Sequence, residues 1–316
     1  MKIGLIDVDS HNFPNLPLMK LSAWHKSKGD LVEWYSPFAG KYNIVYVQKI
    51  FSFSDDYNYP INAERVIKGG TGYCISLIDG KEVFDKSKNI NLPDEIEHIY
   101  PDYSLYPKFN EAYGFLTRGC PRNCDFCIVA KKEGCKSVKV ADLSEFWRGQ
   151  KTIKLLDPNI LACKDREELL QQLIDSKARI DFTQGLDIRL TDDKINNLIM
   201  KCKINMLHFA WDKEKDSEVI IEKLKLFKEQ TNISARKARV YVLTNFDTDF
   251  EFDVYRVEYL KNIGFDPYVM IYDREHCNTK YKQLQRYCNN KFVFWNKNCK
   301  SFKEYLRTRN LYGGAK

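Results

Sequence analysis

Three thiols fall within eight residues, Cys120-Pro-Arg-Asn-Cys124-Asp-Phe-Cys127, directly behind the apolar run Tyr113-Gly-Phe-Leu-Thr117, which reads as a strand. No other feature constrains this chain as strongly. Iron–sulfur clusters are usually held by four cysteine thiolates, so a tight loop offering three leaves one iron open to an external ligand. Such a loop can wrap one face of a cubane cluster while the fourth iron points into a cavity. The competing reading is a structural zinc or a closed four-thiolate cluster, with Cys135 as the fourth ligand. Zinc ribbons favour paired Cys-x2-Cys halves. This chain has one such half and no matching second pair, which leaves Cys135 as an ordinary thiol.

From the cysteine loop onward, strand-like and helix-like runs alternate, the pattern of repeated βα units around a parallel sheet. Strands are expected at Tyr113–Thr117, Ile153–Asp157, Ile180–Gln184, Ile204–Trp211, Arg239–Asn245 and Tyr268–Asp273. Asp165-x-x-Glu168 reads as a capping box opening a helix over Glu167–Lys177, Thr191 as the cap of the next, and Ser217 as the start of a third. A further helix, Val254–Asn262, runs to Gly264, a residue suited to a left-handed cap. Six βα units predict a partial barrel. In barrels of parallel strands the reactive groups gather at the carboxyl ends, and the cysteine loop sits just after the first strand.

The thiol spacing, with the aromatic Phe126 before the third cysteine, resembles the signature of the radical SAM enzymes. The resemblance covers roughly residues 108–290 and implies a partial (β/α)6 barrel, a 4Fe-4S cluster on Cys120, Cys124 and Cys127, and S-adenosylmethionine as the ligand of the open iron. It further implies reductive cleavage of that ligand to a 5'-deoxyadenosyl radical, which abstracts hydrogen from a substrate, with a flavodoxin or ferredoxin as electron donor. The protein's task is then to place the substrate and exclude competing reactions. In the place of the family's Gly-Gly-Glu-like turn stands Asp157-Pro158-Asn159, where Asp157 or Asn159 offers an oxygen to the methionine amino group, or a Pro-containing turn simply ends the strand. The third strand runs into Gln184-Gly-Leu-Asp187-Ile-Arg189, and alternation aims Asp187 and Arg189 the same way. Arg189 suits the methionine carboxylate, and Asp187 or Gln184 the ribose hydroxyls; the plain alternative is a structural ion pair.

Other candidates rest on position alone. The fourth strand offers His208 and Trp211-Asp212, while Thr244-Asn245 come after the fifth and Tyr272-Asp273 after the sixth. Cys277, Cys288 and Cys299 recur every eleven residues, a spacing that fits an auxiliary cluster or one helix face equally well. No residue is singled out as catalytic.

Residues 1–92 form a separate α/β problem: Lys2–Asp7 and Asn43–Gln48 read as strands flanking a helix around Leu16–Lys28, which predicts a small Rossmann-like domain. The layout resembles the cobalamin-binding domains that precede many radical SAM cores. The lower-ligand motif is missing, since Asp7-Val-Asp-Ser-His11 spaces its histidine wrongly, so a degenerate domain without cobalamin is expected. Gly69-Gly-Thr-Gly-Tyr73 is either a glycine turn approaching a ligand or an ordinary turn. Residues 93–107 read as the linker, 108–290 as the barrel and 291–316 as a C-terminal extension.

The 316 residues suffice for one large and one smaller core. No apolar stretch reaches the length of a spanning helix, and Met1-Lys-Ile-Gly-Leu-Ile-Asp7 is too short and strand-like for a signal peptide, so a cytoplasmic protein is expected. Ten cysteines beside a cluster motif imply a reducing compartment. A net charge of +7 would assist binding to nucleic acid, yet the lysines are dispersed and indicate a solvated surface. Two alternatives stand beside the radical enzyme: a cobalamin-dependent radical methyltransferase, and a nonenzymatic metal-binding module that recognises nucleic acid.

Overall fold

The computed structural model describes residues 1–10, 13–78 and 81–312, and divides them into two compact units, Met1–Pro158 and Asn159–Lys316. Both are mixed α/β with parallel strands.

The first unit opens with β1 (Lys2–Asp7), α1 (Leu16–Ser27), β2 (Leu31–Trp34), β3 (Tyr42–Gln48) and β4 (Ala63–Gly69). These strands form a wholly parallel sheet in the order β2-β1-β3-β4. Period-two alternation sends Ile3 and Leu5 to one face, where they pack with Leu18, Leu21 and Ile96, while Ile6 joins Val45 and Val47 in a second cluster. α1 starts where Asn15 caps the Leu18 N–H at 3.2 Å. The sequence does not announce β2 and β4, because β2 is only four residues long, β4 mixes charged with apolar residues, and both are largely unburied at the sheet's edges.

The glycine turn after β4 packs on its own chain. Gly70 has φ +102° and a Cβ there would lie 2.3 Å from the Lys49 carbonyl oxygen, while the Gly72 N–H donates to that oxygen at 3.0 Å. The short α2 (Thr71–Cys74) and the hairpin β5 (Ile75–Ile78) and β6 (Lys81–Phe84) follow. His11 of the expected cobalamin motif lies outside the described residues. Residues 93–107 carry α3 (Asp94–Glu97), whose Ile96 is buried against Leu18, and Asp102 accepts from Ser22 and Lys26, each at 2.6 Å.

The unit ends with β7 (Ala112–Gly114), β8 (Thr117–Arg118), α4 (Val129–Glu133), β9 (Val138–Lys139) and β10 (Thr152–Leu155). β7 and β10 pair in parallel. The expected strand Tyr113–Thr117 is thus two strands, broken at Phe115 and Leu116.

The second unit alternates α5 (Arg166–Ser176), β11 (Arg179–Phe182), α6 (Asp193–Lys201), β12 (Lys203–Ala210), α7 (Ser217–Thr231), β13 (Ala238–Thr244), α8 (Phe250–Asn262) and β14 (Asp266–Ile271). Its four strands lie parallel in chain order. Phe209, Val240, Val242 and Val269 are fully buried, and Phe209 meets Phe227 of α7 and Phe265 edge-on. α9 (Thr279–Asn289), α10 (Lys291–Phe294) and α11 (Phe302–Tyr312) close the chain; Lys291 and Trp295 both donate to Asp266, at 2.8 and 3.1 Å.

The caps partly differ from expectation. Asp165 makes no side-chain cap, so the capping box does not form; Asp192, not Thr191, caps α6 through the Ile195 N–H at 2.8 Å. Asp216 precedes α7, while the Ser217 hydroxyl accepts from the Trp211 indole at 3.0 Å. Gly264 does take a left-handed conformation, with φ +78°.

Candidate functional site

The cysteine loop is closed at its base by the two-residue antiparallel ladder of β8 and β9, Thr117 opposite Lys139 and Arg118 opposite Val138. Further contacts pin the stem. The Cys120 N–H donates to the Gly134 carbonyl at 3.1 Å, the Gly119 N–H to Glu133 Oε2 at 3.3 Å, and Arg118 Nη1 to Glu133 Oε1 at 2.9 Å. Gly119 has φ +84°, and a Cβ there would stand 2.2 Å from the Lys136 carbonyl oxygen, so only glycine fits this turn into Cys120. Inside the loop the Cys127 N–H donates to the Cys124 carbonyl at 2.9 Å.

All three thiols are half-buried and free of disulfides, whereas Cys74, Cys163, Cys202 and Cys288 are buried. Burial pushes the Cys202 and Cys288 thiols up to about 12, so they stay protonated, and the thiol form is a poor metal ligand. As donors, Cys120, Cys124 and Cys127 suit iron–sulfur chemistry. Among the described residues no three His, Cys, Asp or Glu side chains converge on a single ion. Thiolates on a cubane each bind a different iron, so that geometry is not what a cluster requires. Phe126 is half-buried between the second and third thiols.

Cys135 is exposed and its thiol faces the Ala130 carbonyl at 3.9 Å. Cys277, Cys288 and Cys299 turn to three different carbonyls, those of Arg274, Pro267 and Ser301.

Asp157 follows β10 and is 4 % exposed. Its carboxylate accepts from the Leu116 N–H at 3.1 and 3.2 Å, from the Thr117 N–H, and from the Thr117 hydroxyl at 2.7 Å. Burial raises its pKa to about 6, against the opposing effect of those hydrogen bonds. Its carboxylate is thus turned to the stem of the cysteine loop.

In the second unit, Asn159 is 3 % exposed and opens a 3-10 turn over Ile160–Ala162. β11 ends at Phe182, two residues earlier than expected, and leaves Gln184 exposed. Asp187 and Arg189 therefore share a 3-10 turn, Ile188–Leu190, and not the alternation of a strand. The physical cause is local: Asp187 caps that turn through the Arg189 N–H at 3.2 Å and binds Arg189 Nε at 2.7 Å. Asp216 holds Arg189 Nη1 at 2.5 Å. Arg189 is thus gripped by two carboxylates; the second, Asp216, lies far along the chain just before α7 and carries no local signal of the pairing.

Asp212 lies at the carboxyl end of β12, where its Oδ1 accepts the Leu243 N–H at 3.2 Å and burial raises its pKa. His208 is 6 % exposed; Nδ1 lies 3.0 Å from the Phe182 carbonyl, and the ring stacks on Tyr241 with centroids 4.9 Å apart. Burial lowers its pKa to about 4, which makes it a neutral core histidine at pH 7. Thr244 and Asn245 serve the fold, donating to the Met270 and Tyr272 carbonyls at 3.2 and 2.8 Å. Tyr272 donates its N–H to Thr244, and Asp273 accepts from His276 at 2.7 Å.

Fold and site together define an α/β protein of parallel sheets carrying a three-thiol loop behind a strand. No family model matches the chain. It is 30% identical over 182 residues to tRNA-2-methylthio-N(6)-dimethylallyladenosine synthase of Aquifex aeolicus. The match takes in 49% of this chain and 41% of the relative, so the chain spans about two fifths of that protein's length. Among the described residues no helix is long and apolar enough to cross a membrane.

Proposed function

We propose that this chain is a radical SAM enzyme, with a 4Fe-4S cluster on Cys120, Cys124 and Cys127 and S-adenosylmethionine as its second cofactor. One observation carries the reading: three accessible thiols at Cys-x3-Cys-x2-Cys spacing on a pinned loop behind a strand. The distant similarity to the tRNA-modifying synthase supports it at the level of a superfamily. Held by these thiolates and reduced, a cluster would supply the one electron needed to cleave a carbon–sulfur bond of S-adenosylmethionine into methionine and a 5'-deoxyadenosyl radical.

The chain's own residues would then hold that ligand. Phe126 lies on the cysteine loop; Arg189 would take the methionine carboxylate, sharing its guanidinium with Asp187 and Asp216. Asn159 and the main chain at Asp157 would serve the amino group, and Gln184 or Asp187 the ribose. The reading takes β7, β10 and β11 to β14 as the six units of a partial barrel over residues 108–290. Residues 1–92 form a Rossmann-like domain of the degenerate cobalamin-binding kind, 93–107 join it to the barrel, and 291–316 extend the barrel. A flavodoxin or ferredoxin in the cytoplasm would supply electrons. The relative's name makes a tRNA nucleoside the first substrate class to assay.

The test is anaerobic reconstitution with iron and sulfide, followed by reduction and assay for 5'-deoxyadenosine. Cleavage in the wild type that disappears in Cys124→Ala supports the reading. Zinc in place of iron, or no cluster at all, refutes it.

A further inference from the structure

The parallel pairing of β7 and β10 ends where Leu156 donates its N–H to the Gly114 carbonyl at 2.9 Å. Beyond that point a side chain takes over from the backbone ladder. Asp157 binds the N–H groups of Leu116 and Thr117 and the Thr117 hydroxyl, while Glu133 binds Gly119 and Arg118 from α4. Two carboxylates, one just after β10 and one at the end of α4, therefore hold residues 116–119, and the next residue is Cys120. A carboxylate buried as Asp157 is would be costly without such donors. An apolar residue would fill the same space at less cost, which implies that its hydrogen bonds serve a position. We propose that Asp157 is a positioning residue for the cluster, fixing the Leu116–Thr117 backbone and hence the place of the Cys120 thiolate. This inference rests on the cluster reading above.

The effect should be felt where small displacements matter, in the fit between cluster and S-adenosylmethionine and not in the capacity to bind iron, since misplacement of about 1 Å can cost roughly a hundredfold in rate. The full-length wild type, Asp157→Asn, Thr117→Val and Thr117→Ser are reconstituted anaerobically. Iron per chain, the electron paramagnetic resonance of the reduced cluster with and without S-adenosylmethionine, and the 5'-deoxyadenosine rate are then measured. Asp157→Asn turns one acceptor into a donor: with its carbonyl oxygen at the place of Oδ1, which takes the Leu116 and Thr117 N–H groups and the Thr117 hydroxyl, its amide nitrogen faces the Leu116 N–H in place of Oδ2. Thr117→Val removes one hydroxyl in equal volume, and Thr117→Ser restores it.

The expected result is near-normal iron in all four, a weakened spectral response to S-adenosylmethionine in Asp157→Asn and Thr117→Val, a rate lower by about tenfold or more in Asp157→Asn, and recovery in Thr117→Ser. Wild-type spectra and rates in both Asp157→Asn and Thr117→Val would overturn the proposal. Should Asp157→Asn not fold, the Thr117 pair decides alone: equal behaviour of Val and Ser at that position overturns it, and rescue by Ser sustains it. A wild type that loads no cluster would overturn the cluster reading, and this proposal with it.

Discussion

Asp253 and Arg256 form an ion pair one helical turn apart in which both side chains are fully buried. The guanidinium donates to the Trp211 and Leu243 carbonyls and to the Thr248 hydroxyl, while Asp253 accepts from Thr248 and from the Asn245 N–H. A single buried cation thereby ties the carboxyl ends of β12 and β13 to α8. Breaking a buried pair strands the partner's charge, a loss of about 3–5 kcal/mol, whereas replacing both partners by apolar groups costs far less. Arg256→Met should lower the stability of the second unit by that amount, and Arg256→Met with Asp253→Leu by clearly less than the two single losses combined. Urea denaturation of the four proteins of the cycle measures this. Additive losses would mean that the pair acts as two separate groups.

His208 predicts a pH dependence. Asp181, at 3.8 Å, and Arg239, Tyr241 and Asp266 face it, and desolvation by burial holds its pKa near 4 against an ordinary 6.5. The unfolded chain thus takes up a proton on this histidine between pH 6.5 and 4 while the folded chain does not, so its contribution to stability falls as the pH drops through that window. The ceiling is about 3 kcal/mol. Asp157 works in the opposite sense, because its raised pKa favours the folded state at low pH. Comparing the wild type with His208→Gln cancels that background. Denaturation at pH 7 and pH 4.5 should show the variant gaining relative stability at the lower pH; a difference that does not change with pH would refute the depressed pKa.

Much of this molecule is legible in its sequence where apolar periodicity is strong. β1 coincides with its expected span, and the expected runs at Ile204, Arg239 and Tyr268 lie within two residues of β12, β13 and β14 at either end, because strands rich in apolar residues and packed into a core carry a strong pattern. Edge strand β2 is too short to show a period, and edge strand β4 is mostly exposed. Side chains of Asp and Arg are harder still, since the same residues cap turns, pair with neighbours or meet ligands. The sequence leaves Asp157 as a ligand contact or as part of a turn that ends the strand, and the structure turns its carboxylate to Thr117; it leaves Asp187 and Arg189 as ligand contacts or as a structural ion pair, and the structure pairs them across a capped 3-10 turn. Only the fold says which partner wins. The Cys-x3-Cys-x2-Cys loop was legible because its spacing is local, whereas Glu133, which pins the loop through Gly119, carries no sequence signal at all.

Arg189 separates a ligand-binding role from a structural one. The guanidinium and Asp216 are partly exposed, and Asp187, though buried, keeps the Arg189 N–H as a donor, so losing the pairs should cost only about 1 kcal/mol of stability. A charge-assisted hydrogen bond to a bound carboxylate is worth about 1.5–3 kcal/mol, roughly a ten- to hundredfold change in affinity. Arg189→Gln should therefore melt nearly as the wild type does and bind S-adenosylmethionine at least about tenfold more weakly, as read by titration of the reconstituted protein. Normal affinity with a large loss of stability would make the residue a plain ion-pair partner.

The ten cysteines give the last prediction, because they differ in access and in the protonation that burial imposes. Cys120, Cys124 and Cys127 are half-buried on one closed loop, while Cys202 and Cys288 are sealed in the second unit with thiols held protonated. Cys135 is exposed and eight residues beyond the third loop thiol, the position a fourth ligand would take. Replacing each loop cysteine by serine should remove most of the about four irons that one cubane contributes per chain. Cys135→Ser, Cys277→Ser and Cys299→Ser should each retain them. Iron and sulfide analysis of the reconstituted variants, with the absorbance of the cluster as a second readout, decides between three ligands and four. Loss of iron in Cys135→Ser would close the fourth coordination site with protein, leave no iron free for S-adenosylmethionine, and turn the loop into the holder of an electron-transfer or structural cluster.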